Sequence, residues 1–392
     1  MTADPIAMQD GRGPDRIPAL DGLRGIAILL VLIFHSLDIQ VDAVPIPFIH
    51  AIAISGWTGV SLFFVLSGFL ITGILLDSSP GRRSLGHFYM RRALRILPVY
   101  YATLLIFFYL IPRDAFPDLA WHDDREFLYW TFLQNWAMAA RGSFLNAPNL
   151  NHLWSLNIEE QFYLVWPLLV FGLGRRRLLW LCGALIVGCL GLRIALYLHE
   201  APWVAIYIMT ITRMDDLAVG AAIACLVRGS KGLAPFVPIA RVVGSICALY
   251  VVALMFVAGG FLLRADLTLT LGFSVASLGF GSALILVLVA ASDEWVTRLL
   301  SARVLRTFGK YSYALYVVHL PIVTFLMVPN GANPGIPRTA VYFWHLALTI
   351  GLSFAVAFVS WHVLEQPFLR LKKRFGGDSD VASAANTADK GT

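Results

Sequence analysis

The sequence predicts an all-α polytopic membrane protein with about ten transmembrane helices and both termini in the cytoplasm. Hydrophobic residues make up 58% of the 392 residues and charged residues only 14%, whereas soluble domains carry about 25% charged residues. Apolar runs close to the roughly 20-residue length of a bilayer span recur along the whole chain. No polar block between them is long enough for a separate soluble domain, so one membrane-embedded domain is expected.

Ten apolar runs are the candidate spans of this domain. Each has the length and the low charge of a transmembrane helix, whereas the run at 127–138 is too short to cross. The predicted spans are 17–37, 55–76, 94–112, 156–173, 177–197, 204–227, 238–261, 268–290, 311–329 and 339–363.

Basic residues in the short loops predict the orientation, because loops rich in Lys and Arg stay on the cytoplasmic side. Such clusters follow the second, fourth, sixth, eighth and last spans, whereas the longest alternate loop, 113–155, is acidic on balance. Both termini are therefore predicted to be cytoplasmic. The transmembrane domain is expected at 17–370, between a cytoplasmic N-terminal tail at 1–16 and a disordered cytoplasmic tail at 371–392 that has few apolar residues.

Several functional classes lack support in the sequence. The net charge of +6 comes from basic clusters between apolar runs rather than from one basic face, so no nucleic-acid partner is indicated. The four cysteines lie in apolar runs without a CxxC pair, which argues against a disulfide framework or zinc. Walker, Rossmann, HExxH and GxSxG patterns are not found in a supporting context. We expect no metal and no bound cofactor.

The first span carries two residues that an apolar helix does not need. Arg24 and His35 are eleven residues apart, so they lie on one helical face, roughly 16 Å apart along the axis. Snorkelling of its guanidinium towards the membrane surface explains Arg24 equally well. A histidine among Leu, Ile and Phe loses solvation and stays neutral, which keeps it competent as a base or nucleophile. We therefore predict a functional role for His35.

Two further pairs of charged residues lie at the ends of spans. Arg92 and Arg95 share one face at the cytoplasmic mouth of the third span, where they could bind phosphates or simply anchor the helix. Glu159 and Glu160 lie near the outer end of the fourth span. Adjacent helical residues point about 100° apart, so one carboxylate is expected to face the polar interior.

Other polar residues have two open interpretations. Asp215, beside Arg213 and Asp216 at the start of the sixth span, belongs to an internal ion pair or binds sugar hydroxyls. His319 in the ninth span is either a hydrogen-bonded core histidine or part of the site. Ser67 precedes a glycine in the second span, which favours close helix packing and allows a hydrogen bond between helices.

Seven segments, in this order, resemble the membrane acyltransferase 3 family, whose members O-acylate bacterial surface polysaccharides, lipopolysaccharide O-antigens, peptidoglycan, macrolides and related acceptors. The segments are RIPALDGLRGIAILLVLIFH, GVSLFFVLSGFLI, RRALRILP, LWSLNIEEQFYLVWP, RMDDLAVG, YSYALYVVHLPI and SWHVLEQPF. They cover roughly residues 16–370. One departure is Ser61, which stands where family members often carry an acidic residue.

The resemblance implies an O-acyltransferase of the bacterial inner membrane. It would move an acyl group, acetyl by default, from cytosolic acyl-CoA to a hydroxyl of a glycan or lipid-linked glycan. In this family Arg24 and His35 would be the essential pair, Arg92 and Arg95 would help to bind acyl-CoA, and Glu159 or Glu160 would support the site. Further candidates for acceptor contact or support are Trp154, Tyr163, Asp215, Ser67 and His319.

Alternatives remain open at this point. The acceptor could be a macrolide-like small molecule, and His35 could act as a base or become acylated itself. A transporter or flippase is the rival class, because ionisable residues inside a membrane also mark substrate and proton pathways.

Overall fold

The computed structural model describes residues 17–38, 47–111, 125–326 and 338–371. The predicted N-terminal tail at 1–16 lies outside the described residues, as does all but the first residue of the predicted tail at 371–392. Within the described ranges the regular structure is helical, and none of these residues forms a strand.

Fifteen α-helices make up the described part of the chain. They are α1 (Pro18–Asp38), α2 (Pro47–Ile54), α3 (Thr58–Leu76), α4 (Arg82–Leu105), α5 (Phe127–Trp130), α6 (Gln134–Arg141), α7 (Trp154–Leu198), α8 (Trp203–Ile208), α9 (Thr210–Val227), α10 (Val237–Val257), α11 (Phe273–Val289), α12 (Trp295–Leu300), α13 (Arg303–Phe325), α14 (Arg338–Ser360) and α15 (Gln366–Leu371). Short π-helical segments occupy Ile106–Leu110, Thr268–Gly272 and Trp361–Glu365, and 3₁₀ segments occupy Pro148–Leu153 and Ala234–Phe236.

The fold class predicted from the sequence is confirmed. Seven helices among the described residues are long and apolar enough to cross a membrane. One of them, the stretch Asn149–Leu198, contains two predicted spans. The two spans are separated at Gly174, where the backbone leaves the helical conformation (φ 70°, ψ 161°). The sixth and ninth predicted spans correspond to α9 and α13, whose sequences include several charged residues. The number of ten spans and the cytoplasmic position of the termini stay predictions.

Two helices differ from the predicted spans in a way that affects the site. The third span was expected to begin at residue 94, but α4 begins at Arg82, so Arg92 lies inside a helix rather than in a loop. A polar helical extension is stable there because its backbone hydrogen bonds are all internal. The sixth predicted span, 204–227, is divided at Met209, whose extended conformation (ψ 139°) separates α8 from α9.

The centre of the bundle is built on close backbone contacts between α3 and α9. A Cβ atom on Gly68 would lie 2.0 Å from the carbonyl oxygen of Leu217, and one on Gly220 would lie 1.9 Å from that of Val65. Only glycine permits this separation, as in small-residue interfaces between membrane helices.

Helices α1 and α13 pack side by side in the same way. A Cβ atom on Gly309 of α13 would lie 1.8 Å from the carbonyl oxygen of Asp21 in α1. This contact fixes the two helices at their Asp21 end. As a result, His35 near the other end of α1 comes to lie beside His319 of α13.

A buried amide network attaches the segment before α7 to the bundle. The Asn135 side chain donates to Thr210 Oγ1 at 3.0 Å, and Gln161 Nε2 donates to Asn135 Oδ1 at 3.1 Å. Thr210 Oγ1 in turn donates to Gln161 Oε1. These bonds join α6, α7 and α9, and they hold the start of α7 in place.

Candidate active site

Three histidines from distant parts of the chain meet at one end of the bundle. His35 lies on α1, His319 on α13, and His152 in the 3₁₀ segment before α7. The ring centroids of His35 and His319 are 4.9 Å apart, and those of His152 and His319 are also 4.9 Å apart. His319 is fully buried and His152 almost so, whereas His35 is half-buried. The sequence indicated two of these residues and missed His152.

Backbone carbonyl groups determine which ring nitrogens carry hydrogen. Nδ1 of His319 lies 2.6 Å from the Tyr316 carbonyl oxygen, and Nδ1 of His35 lies 3.1 Å from that of Val31. Since a carbonyl oxygen can only accept, each Nδ1 is the donor. A neutral His35 therefore has its lone pair on Nε2, the nitrogen that can take a proton or attack a carbonyl carbon.

Hydroxyl groups attach His152 to α13. The Tyr316 hydroxyl donates to the His152 carbonyl oxygen at 2.9 Å and lies 2.6 Å from the Ser155 hydroxyl. Nε2 of His152 donates to the Val317 carbonyl oxygen at 3.1 Å. These bonds fix the orientation of His152 relative to His319.

Glu159 lies about two helical turns further along the chain than His152. Ser67 Oγ donates to Glu159 Oε1 at 2.8 Å, and the Tyr163 hydroxyl donates to Oε2 at 3.0 Å. The guanidinium carbon of Arg92 lies 5.3 Å from the centre of the Tyr163 ring. Glu159 is therefore held by α3 and by its own helix, next to a basic residue of α4.

Glu160 has different surroundings. Its Oε1 atom is buried and has no hydrogen-bond partner within the described ranges. Its electrostatic interactions are with the neighbouring Glu159 and with Arg92. Of the two adjacent carboxylates, Glu159 is the one bound to side chains from another helix, as the 100° offset between neighbours allows.

The remaining basic candidates lie on the Arg92 side of Glu159. Arg24 is 3.5 Å from the Asp21 carboxylate, and it also interacts electrostatically with Glu159. Arg95 interacts with Arg92. Along the chain the order is His152, then Glu159, then Tyr163, with Arg92 beside Tyr163. These residues form one polar line, with the histidines at one end and the arginines at the other.

Asp215 lies in an internal ion pair outside this line. Its Oδ2 atom is 2.6 Å from Nη2 of Arg193, and Oδ2 of Asp216 is 2.7 Å from Nη2 of Arg213. All four side chains have no exposed surface. Arg193 was not singled out from the sequence, although a lone arginine inside an apolar span is a recognisable signal.

Arg213 is also enclosed by aromatic rings. Its guanidinium carbon lies between 4.5 and 5.9 Å from the ring centres of Phe273, Tyr207, Phe64 and Trp154. Its Nη2 group donates to Ser61 Oγ at 2.8 Å. The serine that replaces an acidic residue of the family pattern thus binds the arginine as a neutral acceptor, and Trp154 belongs to this enclosure.

Comparison with known proteins finds related sequences. The chain is similar to the peptidoglycan O-acetyltransferase OatA of Listeria monocytogenes, with 30% identity over 380 residues, covering 90% of this chain and 55% of that protein. It is also similar to the putative peptidoglycan O-acetyltransferase YrhL of Bacillus subtilis, with 30% identity over 382 residues, covering 90% of this chain and 54% of that protein. The chain thus spans about half the length of these relatives.

No solved structure matches the chain. A family model described as an acyltransferase domain matches residues 17–362. This range includes the three histidines, both glutamates and all the arginines of the candidate site. The chain therefore belongs to the membrane acyltransferase 3 family.

Proposed function

We propose that the chain is a membrane O-acyltransferase that moves an acyl group, acetyl by default, from cytosolic acyl-CoA to a hydroxyl of a glycan. Family membership and the names of the two relatives support O-acetylation of a glycan such as peptidoglycan. The single observation that carries the proposal is the position of His35: its imidazole lies in an apolar helix, and its Nδ1 donates to the Val31 carbonyl oxygen, so a neutral ring has its basic lone pair on Nε2.

The donor would bind at the arginine end of the polar line. Arg92 and Arg95 are half-buried and lie on one face of α4. Guanidinium groups bind phosphate oxygens in forked geometry, so they suit the phosphates of CoA. The pantetheine arm would then extend past Tyr163 and Glu159 and bring the thioester to the histidines.

The chemistry requires one group that takes and returns a proton. Nε2 of His35 accepts the proton of the acceptor hydroxyl while the oxygen attacks the thioester carbonyl carbon. The carbon–sulfur bond then breaks, and the imidazolium gives the proton to the departing thiolate. The products are the ester and free CoA thiol. If Nε2 itself attacks first, an acyl-histidine forms, and the same nitrogen is required.

A transporter is the rival function for ionisable residues inside a membrane. In this bundle two of the buried arginines, Arg193 and Arg213, are each paired with a buried aspartate. The polar line has Arg92 and Arg95 at one end and His35 at the other, and this supports transfer from acyl-CoA, because guanidinium groups suit phosphates and an imidazole suits the base. A macrolide-like acceptor stays the second possibility for the hydroxyl substrate.

The proposal is tested with purified protein in nanodiscs, acetyl-CoA labelled in the acetyl group, and soluble peptidoglycan fragments. We expect free thiol beyond one equivalent per protein only when acceptor is present, and label to appear in the fragments as a base-labile ester. Proteoliposomes loaded with the same fragments test the rival. Substrate-coupled flux without consumption of thioester would establish transport and overturn the proposal, and label on a macrolide but not on the fragments would reassign the acceptor.

A further inference from the structure

We infer that His319 is a positioning residue for His35: it accepts the hydrogen of His35 Nδ1 on its own Nε2 and thereby directs Nε2 of His35 to the substrates. The two nitrogens are 3.2 Å apart. This inference rests on the proposed function, because it assigns a role within the same transfer reaction.

The direction of this hydrogen bond follows from the two carbonyl contacts. If His319 Nε2 were the donor, the lone pair of His35 Nδ1 would face the Val31 carbonyl oxygen at 3.1 Å, with one acceptor against another. His319 would also carry hydrogen on both nitrogens, because its Nδ1 donates to Tyr316. A fully buried imidazolium would result, which is strongly unfavourable. With His319 as the acceptor, both rings are neutral, and the single hydrogen on His35 Nδ1 is shared between the Val31 carbonyl oxygen and His319 Nε2.

The surroundings of His319 hold it in this orientation. The ring of His152 packs against it at an interplanar angle of 78°. The Tyr316 ring lies on the same helix at a centroid distance of 5.5 Å. The close contact between Gly309 and Asp21 fixes α13 against α1. His35 therefore meets its partner as a result of helix packing.

An acceptor on Nδ1 assists proton uptake at Nε2. Together with the Val31 carbonyl oxygen it fixes the tautomer and the ring plane, and it stabilises the imidazolium that forms during the reaction; serine proteases use a carboxylate for this purpose. A neutral histidine provides the same acceptor without adding a charge to the membrane interior, where a carboxylate is costly. This explains why a second histidine, His319, lies beside the proposed base His35.

Two amide substitutions separate positioning from simple core packing. The amide of His319→Gln reaches the place of Nε2, so its oxygen can accept from His35. The amide of His319→Asn reaches the place of Nδ1, so it keeps the contact with the Tyr316 carbonyl but removes the acceptor that His319 Nε2 offers to His35, whose Nδ1 keeps the Val31 carbonyl oxygen. His345→Gln is the matched control, because His345 is a buried histidine of α14 outside the cluster.

We expect His319→Gln to keep kcat within about 10-fold and His319→Asn to lower it by roughly 100-fold or more, with the KM for acetyl-CoA unchanged in both. The control should have wild-type kcat. If His319→Asn matches or exceeds His319→Gln, the histidine only fills the core, and the inference is overturned while the proposed function stands.

A measurement that needs no turnover distinguishes failure of the positioning role from failure of the proposed function. In protein labelled with ¹⁵N-histidine, the His35 signals, assigned by their loss in His35→Asn, should report hydrogen on Nδ1 in the wild type. The Nδ1 signal should shift in His319→Asn, because of the two acceptors only the Val31 carbonyl oxygen then remains. Wild-type protein that shows this pattern but transfers no acyl group would refute the proposed function and leave the positioning intact. Hydrogen on Nε2 of wild-type His35 would refute the positioning.

Discussion

At the scale of single residues, the buried charges of this bundle fall into two kinds. Arg193 with Asp215 and Arg213 with Asp216 form short ion pairs with no exposed surface, so each buried charge is balanced by a partner within the protein. Glu159 is held by hydroxyl groups, which leaves its negative charge to act on the basic residues nearby. We therefore expect the two ion pairs to stabilise the fold and Glu159 to support the reaction with the substrate.

Replacement of His35 by alanine should remove transfer but not the fold. The imidazole is the only assigned base, so kcat should fall by roughly 100- to 10,000-fold, while the thermal unfolding temperature changes little. The control is His362→Ala, which removes an exposed histidine that hydrogen-bonds only within its own helical turn. Near-normal transfer by a folded His35→Ala protein would refute the mechanism.

The two glutamates should respond differently to replacement by glutamine. Glu159→Gln removes the negative charge beside Arg92 and Arg24 and disturbs the bonds to Ser67 and Tyr163, so we expect at least a 10-fold loss of transfer. Glu160→Gln removes a buried carboxylate whose Oε1 lacks a hydrogen-bond partner in the described structure. It should keep transfer and unfold at the same or a higher temperature. Equal losses in the two variants would contradict this assignment.

The ion pair between Arg193 and Asp215 should behave as a structural unit. Arg193→Met or Asp215→Leu alone leaves a buried charge without its partner, which costs about 3–5 kcal/mol of stability. The double variant should recover most of that loss, because no charge remains buried there. Thermal unfolding of the three proteins in detergent, combined with acyl transfer by the double variant, tests this. A stable double variant without transfer would instead place Asp215 in acceptor binding.

At the scale of elements, glycine contacts determine how the helices are placed. The α3–α9 and α1–α13 interfaces both depend on a glycine that faces a backbone carbonyl group. The first interface places Ser67 where it can reach Glu159, and the second places His35 beside His319. The geometry of the candidate site is therefore a consequence of close backbone packing.

Gly68→Ala should show how strictly this packing is required. The added Cβ would lie 2.0 Å from the Leu217 carbonyl oxygen, so α3 and α9 must separate, at a cost of roughly 1–3 kcal/mol for overpacking. Gly183→Ala is the matched control, since a Cβ there meets no atom within 4 Å, and alanine favours the helix by up to about 1 kcal/mol. Unfolding temperatures measured in one detergent should fall for the first variant only. Equal stability of both would mean that the interface can relax.

At the scale of the whole molecule, contacts between helix ends follow the alternation predicted from the basic loops. Arg228 after α9 binds the Asp77 carboxylate after α3, and Arg175 Nη1 donates to the Cys225 carbonyl oxygen at 3.3 Å. The other end has its own contacts, such as the Trp57 indole donating to the Phe261 carbonyl oxygen at 2.7 Å. The contacts of Arg228 and Arg175 thus join segments at one end of the bundle, and the contact of Trp57 joins segments at the other end.

The sequence predicted the helices better than the contacts between them. Apolar runs and their lengths located His35, because an ionisable group inside a span is costly and therefore marks a candidate functional residue. His152 precedes the fourth predicted span, where a histidine is unremarkable, and only the fold brings it to His319. The pairing of His35 with His319 joins positions 284 residues apart, which no local pattern reveals. Arg193, by contrast, carried the same signal as His35 and could have been found.

The orientation of the chain decides which end of the polar line meets acyl-CoA. If basic loops are cytoplasmic, Arg92 and Arg95 face the cytosol and the histidine end faces outward. The four native cysteines are buried, so they can be replaced by alanine before single cysteines are introduced at the exposed positions Glu200, Lys231 and Asp293. A membrane-impermeant maleimide should label Glu200→Cys in intact cells, and the other two only after the membrane is opened. The reverse pattern would invert the protein and exclude a donor path from the cytosol to Arg92, whereas the contact between His35 and His319 would be unaffected.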